Sequence, residues 1–387
     1  MAGPLFFELA EDLAHIWYPS LLYTGYKNTL SLAGTQFLTI KAAPHYDRSN
    51  NSRRFLSWFY YFFGSLFTVY NQPNKPLLFI VSNPPFLGIV GLLFKYLRGQ
   101  KYVILVYDTY PDVLIGIGFL KKGMFTKVWD FLNRIVLQNS SLVITIGEYM
   151  ADNLERKFDV LQTSAKKIVS IPNWVDINKI KPLSKKKNWF AQKHNQVDKI
   201  TVLYSGNMGN THDVETILYV AKLLVDISKI HFLFIGEGAK RKFVEDYIQR
   251  NSLGNVTLLP FQPEETLPYS LSAGDIGLIS YHKGTENCIL PSKTYYYMAA
   301  GLALLVISEK DNDLSQLVKD DDCGINVKSK DIQGLKQAIL GVSNNEELLD
   351  QYKQASRKTA EERFSRKNTK LYADVIRKYV HTFNRTP

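Results

Sequence analysis

Ser292 and Lys293 lie in the run Asn287-Cys288-Ile289-Leu290-Pro291-Ser292-Lys293-Thr294-Tyr295-Tyr296-Tyr297-Met298-Ala299-Ala300-Gly301, and together they suit the binding of a diphosphate. Pro291 cannot donate to a strand ladder, but it fits the first turn of a helix. Ser292 suits the edge of that helix and Gly301 its stop. A lysine beside free backbone amides at a helix start is a place for phosphate charge. The same residues also suit an ordinary strand-helix-strand unit with a capped helix, and spacing alone does not choose between the two.

The elements around this run predict where it sits. Ala273 to Ser280 reads as a buried strand before it, and Leu302 to Ile307 as the strand after it. Further strands are predicted at Leu77 to Val81, Tyr102 to Val106, Leu142 to Ile146, Ile168 to Ile171, Ile200 to Tyr204, Ile230 to Ile235 and Val256 to Leu259. Helical patterns stand between them, as at Glu148 to Phe158 and Val214 to Val225. Continuous apolar strands that alternate with helices imply parallel sheets covered on both faces. The Lys-, Asn- and Gln-rich stretch 178–198 lacks periodicity and marks a boundary. The expected fold is therefore α/β, with two doubly wound domains in series. Their extents are 1–177 and 178–365, with a helix over 366–387 that can cross back to the first domain. Ligands in such folds bind beyond the carboxyl ends of strands. Asn207, Gly209, Gly236, Gly238 and the Ser292-Lys293 helix start all fall at such ends. Each glycine alone is ordinary turn chemistry; their convergence points to a phosphate site.

Bulk composition narrows the class. The chain has 387 residues, 45% of them hydrophobic, and a net charge of +11. That fits a two-domain globular enzyme. The basic excess is mostly scattered, as on a solvated surface, although Lys185-Lys186-Lys187 and Lys240-Arg241-Lys242 cluster. No zinc-finger spacing or RNA-binding aromatic strand argues for nucleic acid. Cys288 and Cys323 form neither a metal pattern nor a disulfide framework, which suits a reducing cytosol. Acidic Glu8, Glu11 and Asp12 argue against a signal peptide. Arg53-Arg54 leads into the aromatic run Phe55 to Tyr70, too short for a spanning helix. It reads either as a membrane-interface patch or as a buried helix of a large core.

The chain resembles family 4 glycosyltransferases, of the two-domain GT-B fold. The resemblance is carried by Ile171-Pro172-Asn173-Trp174-Val175-Asp176, Tyr204-Ser205-Gly206-Asn207-Met208-Gly209, Phe234-Ile235-Gly236-Glu237-Gly238, and Pro291-Ser292-Lys293 with Tyr297-Met298-Ala299-Ala300-Gly301. In the first half, Ser82-Asn83-Pro84-Pro85 and Asp108-Thr109-Tyr110-Pro111-Asp112 resemble loops that face the interdomain cleft. The nearest branch builds bacterial surface or exopolysaccharide on lipid-linked acceptors.

That resemblance implies a retaining transferase with a nucleotide sugar, UDP-linked, as donor substrate and no other cofactor. Lys293 and the backbone at Ser292 would stabilise charge on the leaving diphosphate. Asn207, Gly209, Gly236, Glu237 and Gly238 would border the nucleotide, and Phe261-Gln262 its base. Asp108 would face the acceptor hydroxyl or the donor sugar, although the residues alone also allow a cap or turn before Pro111. No metal is implied, because a fixed cation and a helix dipole can take its place. The implied setting is the cytoplasm, with peripheral contact at the inner face of the plasma membrane.

Three departures qualify the expectation. The family's paired glutamates would fall at Cys288 and Tyr296, with Glu286 only nearby. The first donor loop has Asn207 in place of an arginine, and His212 and Asp213 around the place of a lysine; His212 either supplies part of that charge or is a solvated loop histidine. Last, Phe6 to Leu13 resembles the family's first helix, so the strand and glycine loop before it are expected to be missing, through a late start or a truncated gene. The slot would then be open or filled by another segment, with little activity. A GDP-sugar transferase of the same fold and a catalytically weak binding or scaffold paralogue are the alternatives.

Overall fold

The computed structural model describes residues 3–25, 36–44, 51–158, 168–309 and 311–380. The chain divides into two compact units. Unit 1 is Met1–Pro111, Lys121–Pro172 and Lys367–Pro387, and unit 2 is Asp112–Leu120 and Asn173–Arg366. The division falls at Pro172 rather than at 177, because Val175 already bridges to Ser365 of unit 2, with its N–H donating to Phe364 O at 2.9 Å. Residues 112–120 also belong to unit 2 rather than to the first domain expected from sequence.

In unit 1, helix α1 (Gly3–Ile16) leads into strand β1 (Ser20–Thr24), which pairs in parallel with β2 (Leu38–Ala42). Helix α2 (Asn51–Tyr70) then crosses to β3 (Leu78–Val81), and α3 (Gly88–Arg98) connects β3 to β4 (Tyr102–Val106). Strands β5 (Leu142–Thr145) and β6 (Ile168–Ser170) complete a four-stranded parallel sheet, β3-β4-β5-β6. β4 and β5 are buried along their whole length, as expected of strands covered on both faces. β1 (Ser-Leu-Leu-Tyr-Thr) has only two aliphatic residues and β2 (Leu-Thr-Ile-Lys-Ala) alternates apolar with polar, so the continuous-run pattern does not reveal them.

Unit 2 has one six-stranded parallel sheet in the order β12-β11-β10-β7-β8-β9. Its strands are β7 (Ile200–Ser205), β8 (Ile230–Ile235), β9 (Val256–Leu259), β10 (Ile276–Ser280), β11 (Ala303–Ile307) and β12 (Gly324–Val327). The chain builds outward from β7 through β8 to β9, then returns to the other side of β7 with β10. The order therefore reverses between β7 and β10, and in an open α/β sheet a crevice forms there, beyond the carboxyl ends.

The aromatic run forms α2, one face of which is exposed and the other buried. Phe55, Phe59, Phe63, Phe67 and Tyr70 are each at least half exposed. The opposite face carries Ser57, Ser65 and Thr68, all buried, each donating its hydroxyl to a carbonyl of its own helix. The rings of the exposed face turn outward, whereas Trp58 and Tyr61 turn inward and line a cavity of unit 1. Among the described residues, no helix is long and apolar enough to cross a membrane.

Candidate functional site

The carboxyl ends of β7 and β8 are tied into one surface. Gly206 N–H donates to Ile235 O at 2.9 Å, Met208 N–H to Glu237 O at 2.7 Å, and Lys240 N–H to Met208 O at 2.9 Å. Such close approach excludes side chains. Gly236 has φ of 151°, and a Cβ there would stand 1.9 Å from Gly206 O. Gly238 has φ of 143°, and its Cβ would meet Asn207 Oδ1 at 2.6 Å. Both positions need glycine for conformation and for space. Asn207 is exposed and Gly209 buried beside it, at an ideal-Cβ distance of 2.6 Å from Asn207 Nδ2.

Lys293 begins the helix Lys293–Ala299, which follows β10. Its side chain reaches back to the β7 loop, with Nζ 3.6 Å from the centre of the Tyr204 ring. The carbon next to Nζ lies 3.4 Å from the place of a Cβ on Gly206. The ammonium is buried and, among the described residues, has no hydrogen-bond partner. Burial lowers its pKa to about 7. A desolvated lysine over an aromatic face gains ~2 kcal/mol, which offsets only part of the cost of removing it from water. The expectation of an exposed lysine at an open helix start is therefore corrected: the charge is enclosed. The helix start also offers fewer free amides than expected, because Thr294 N–H donates to Pro291 O and Tyr295 N–H to Ser292 O, both at 3.1 Å. Ser292 itself is exposed and caps nothing with its side chain.

His212 is buried, with Nδ1 2.8 Å from Ser280 O, so Nδ1 carries the proton and donates. Burial, then the nearby Lys293 charge, lower its pKa to about 3. At neutral pH it is uncharged. In the free protein it is a buried, uncharged histidine rather than a solvated loop residue. Asp213 is the cap of the helix Val214–Leu223, accepting from Thr216 N–H at 3.0 Å.

Residues 185–359 match the family model described as Glycosyl transferases group 1. The chain carries a group 1 glycosyltransferase domain. It is 26% identical over 261 residues to the probable glycosyltransferase WbjE of Pseudomonas aeruginosa, a match covering 67% of this chain and 64% of that protein. It is 27% identical over 279 residues to the putative colanic acid biosynthesis glycosyl transferase WcaI of Escherichia coli K12, covering 67% of each. The chain thus spans about two thirds of the length of these relatives. Among solved structures it is similar to HepE of Anabaena in complex with UDP and glucose, with TM-score 0.73, 14% identity, and coverage of 97% of this chain and 95% of that one. The fold is GT-B, with a Rossmann-like sheet in each unit.

Within the glycosyltransferase domain the other expected residues are spread around the same strand ends. Glu237 contributes its carbonyl to the loop lattice, and its carboxylate lies 3.3 Å from Arg241 Nε. Phe261 is 54% exposed just beyond β9, next to Gln262, whose amide donates to Pro260 O at 2.9 Å. Glu286 is buried; Oε2 accepts from Gly284 N–H at 2.7 Å, and Oε1 has no partner among the described residues. Tyr296 is partly buried and packs against the core beside Tyr295 and Met298. Asp108 belongs to unit 1, where its backbone follows β4. Its carboxylate accepts from Asn83 Nδ2 at 3.3 Å, which joins the two loops singled out in the first half.

Three residues named in the sequence only as part of a motif or a basic cluster hold these loops together. Tyr297 bonds the last residue of β7, accepting from Ser205 N–H at 2.6 Å and donating to Ser205 O at 3.2 Å. Its ring passes over Gly277, where a Cβ would lie 2.5 Å from it. Arg241 donates to Gly236 O at 2.6 Å. Lys240 donates to His212 O at 2.6 Å and pairs with Glu215 at 2.9 Å. The signal for both cations was their place two and three residues after Gly238. The basic clusters are thus only partly solvated: Lys185 is buried against Asp275, whose carboxylate also accepts from Thr201 N–H at 2.8 Å.

Proposed function

We propose that the protein is a retaining glycosyltransferase that moves a sugar from a UDP-sugar to a lipid-linked saccharide acceptor in bacterial surface polysaccharide synthesis. The observation that carries this reading is Lys293: a buried ammonium with no partner among the described residues, beside the glycine loops at the carboxyl ends of β7 and β8. WbjE as a probable glycosyltransferase, WcaI as a putative glycosyl transferase of colanic acid biosynthesis, and HepE's bound UDP support this reading.

Breaking the bond from the sugar's anomeric carbon to the diphosphate leaves negative charge on the leaving oxygen. A cation already desolvated and positioned stabilises that charge without reorganisation. Lys293 takes this role, and proximity of the diphosphate raises its pKa again. Gly236 and Gly238 allow the nucleotide close to the backbone, Asn207 and Gly209 border it, Glu237 and Phe261-Gln262 flank its nucleoside end, and the free Oε1 of Glu286 accepts a donor hydroxyl. Asp108, held by Asn83, orients the acceptor hydroxyl. The outward rings of α2, with Tyr96 and Leu97 of α3 and Arg98 stacked 4.7 Å from the Tyr70 ring, form a peripheral membrane patch that meets a lipid-linked acceptor. Cys288 and Tyr296, where the family has glutamates, favour a second reading: a binding subunit with weak catalysis.

A thermal-shift panel of UDP, GDP and their sugars, followed by donor hydrolysis, tests both. Stabilisation by UDP compounds with slow hydrolysis supports the transferase. Stabilisation without hydrolysis or transfer supports the binding subunit, and stabilisation by GDP compounds alone overturns the donor assignment.

A further inference from the structure

At the crevice of unit 2, two neighbouring strands stop pairing before they end. β7 is in register with β8 as far as Ser205↔Ile235. With β10 its register covers Ile276↔Val202 and Gly277↔Leu203, and among the described residues the last two residues of β7 have no strand partner on that side. By the alternation of a strand, Thr201, Leu203 and Ser205 turn their backbone groups to the same edge. Thr201 shows which edge it is: its carbonyl accepts from the N–H of Asp275, the residue before β10, at 2.9 Å. The N–H and C=O of Ser205 therefore point to where β10 has parted from β7.

A side chain takes the place of the missing strand. Tyr297 Oη accepts from Ser205 N–H at 2.6 Å and donates to Ser205 O at 3.2 Å, one bond for each group that a neighbouring strand would satisfy. The residue is fully buried, and its ring crosses β10 at Gly277, where a Cβ would lie 2.5 Å from Cδ2. A hydroxyl suits the position because it donates and accepts at once, whereas a bare ring would leave two backbone groups without this partner. The same helix carries Lys293 four residues earlier, and so on the same face. The Lys293 stem lies beside Gly206 and its ammonium against the Tyr204 ring. Tyr297 thus holds the residue between the two that Lys293 touches.

We propose that Tyr297 is a positioning residue for Lys293: its hydroxyl keeps β7 and β10 apart at the crevice and fixes the lysine's ammonium over Tyr204, where a diphosphate meets it. The proposal rests on the reading of Lys293 given above. Filling the core is a task that the ring performs alone, and it requires neither bond to Ser205. The two bonds instead set the register of the helix against the end of β7, and that register decides where the ammonium stands. The titratable neighbours of the ammonium are Tyr204, whose hydroxyl is held protonated by burial, and the uncharged His212, so neither changes its charge near neutral pH.

The test titrates UDP into the full chain by calorimetry at pH 8.5, using the wild type, Tyr297→Phe, Lys293→Met and the double variant. Tyr297→Phe keeps the ring and removes the hydroxyl. It should weaken UDP binding about tenfold, within the range of coupling between residues in contact. It should also lower the proton uptake on binding, because an ammonium returned to water regains its ordinary pKa. In the Lys293→Met background the same change should cost less than about twofold. Gly277→Ala displaces the ring with its hydroxyl retained; it should act in the same direction, and it carries the comparison if Tyr297→Phe does not fold. A folded Tyr297→Phe with wild-type affinity and proton uptake, or an equal loss in both backgrounds, would overturn the positioning role alone. Lys293→Met that binds UDP as tightly as the wild type would overturn the diphosphate reading of Lys293, and the positioning role with it.

Discussion

The two sheets follow one plan and differ in completeness. In unit 2, β10 and β11 are fully buried and the strand order runs unbroken through six strands. In unit 1 the sheet is interrupted between β1 and β3, and the interruption encloses a cavity. The proposed donor site lies at the ends of the unbroken sheet, where the loop of Gly236 is packed against Gly206. The difference teaches that close loop packing shapes the proposed donor site, whereas unit 1 keeps an enclosed cavity among its described strands.

The comparison can be broken most forcefully at Gly236. Gly236→Ala places a methyl against Gly206 O in a backbone conformation that disfavours alanine. Unit 2 should lose about 3–5 kcal/mol of stability, in the range of the largest single-residue effects, and denaturant unfolding would show it. A loss below 1 kcal/mol would mean that the loops are not locked together.

Catalysis gives the next effect. Lys293→Ala should lower kcat/KM by about 2–4 kcal/mol in transition-state terms, like removal of an oxyanion donor, with the fold intact. Core deletions then contrast the sheets directly. Leu278 is fully enclosed in unit 2, whereas Leu22 belongs to the small cluster around β1 beside the cavity. Leu278→Ala should cost about 4 kcal/mol and Leu22→Ala about 2 kcal/mol, because a site that can collapse leaves less void. Equal costs, measured by the unfolding transition of each unit, would remove the contrast.

Acid sensitivity should reside in unit 2. The folded protein holds the His212 pKa near 3, while the unfolded chain has the ordinary value of about 6.5. Between these values the unfolded state binds the extra proton, so stability falls as pH drops from about 6.5 towards 3. His212→Asn, whose amide can still donate to Ser280 O, should flatten that limb by up to about 1.4 kcal/mol per pH unit. The smallest effect on folding belongs to α2. Replacing Phe59, Phe63 and Phe67 by serine should change stability by about 0.5 kcal/mol or less per residue, yet reduce co-sedimentation with anionic vesicles. Retained binding would dismiss the aromatic face as the membrane patch.

Much of this architecture was legible in sequence, for physical reasons. Ile230 to Ile235 and Val256 to Leu259 are strands with the expected bounds, since buried parallel strands must be continuously apolar. Gly236 and Gly238 stood out by their place beyond a predicted strand, and the structure adds their backbone, with φ of 151° and 143°. What escaped was information held in pairwise geometry. β1 has only two aliphatic residues and β2 alternates with polar ones, so their pairing identifies them. The enclosure of Lys293 by Tyr204 joins residues 89 positions apart in a chain whose local pattern placed the lysine at an exposed helix start. Whether α2 turned its rings in or out depended on the small inner stripe Ser57, Ser65 and Thr68, which a count of aromatic residues passes over.

The central claim is that Lys293 waits partly discharged and gains its proton against a diphosphate. Calorimetric titration with UDP at pH 8.5, in two buffers of different ionisation enthalpy, measures this directly. In the free protein, with a pKa of about 7, Lys293 is mostly neutral at that pH. The account predicts uptake of close to one proton on binding, disappearing below about pH 6 and absent in Lys293→Met. Binding with no proton uptake at pH 8.5, or the same uptake in Lys293→Met, would contradict it.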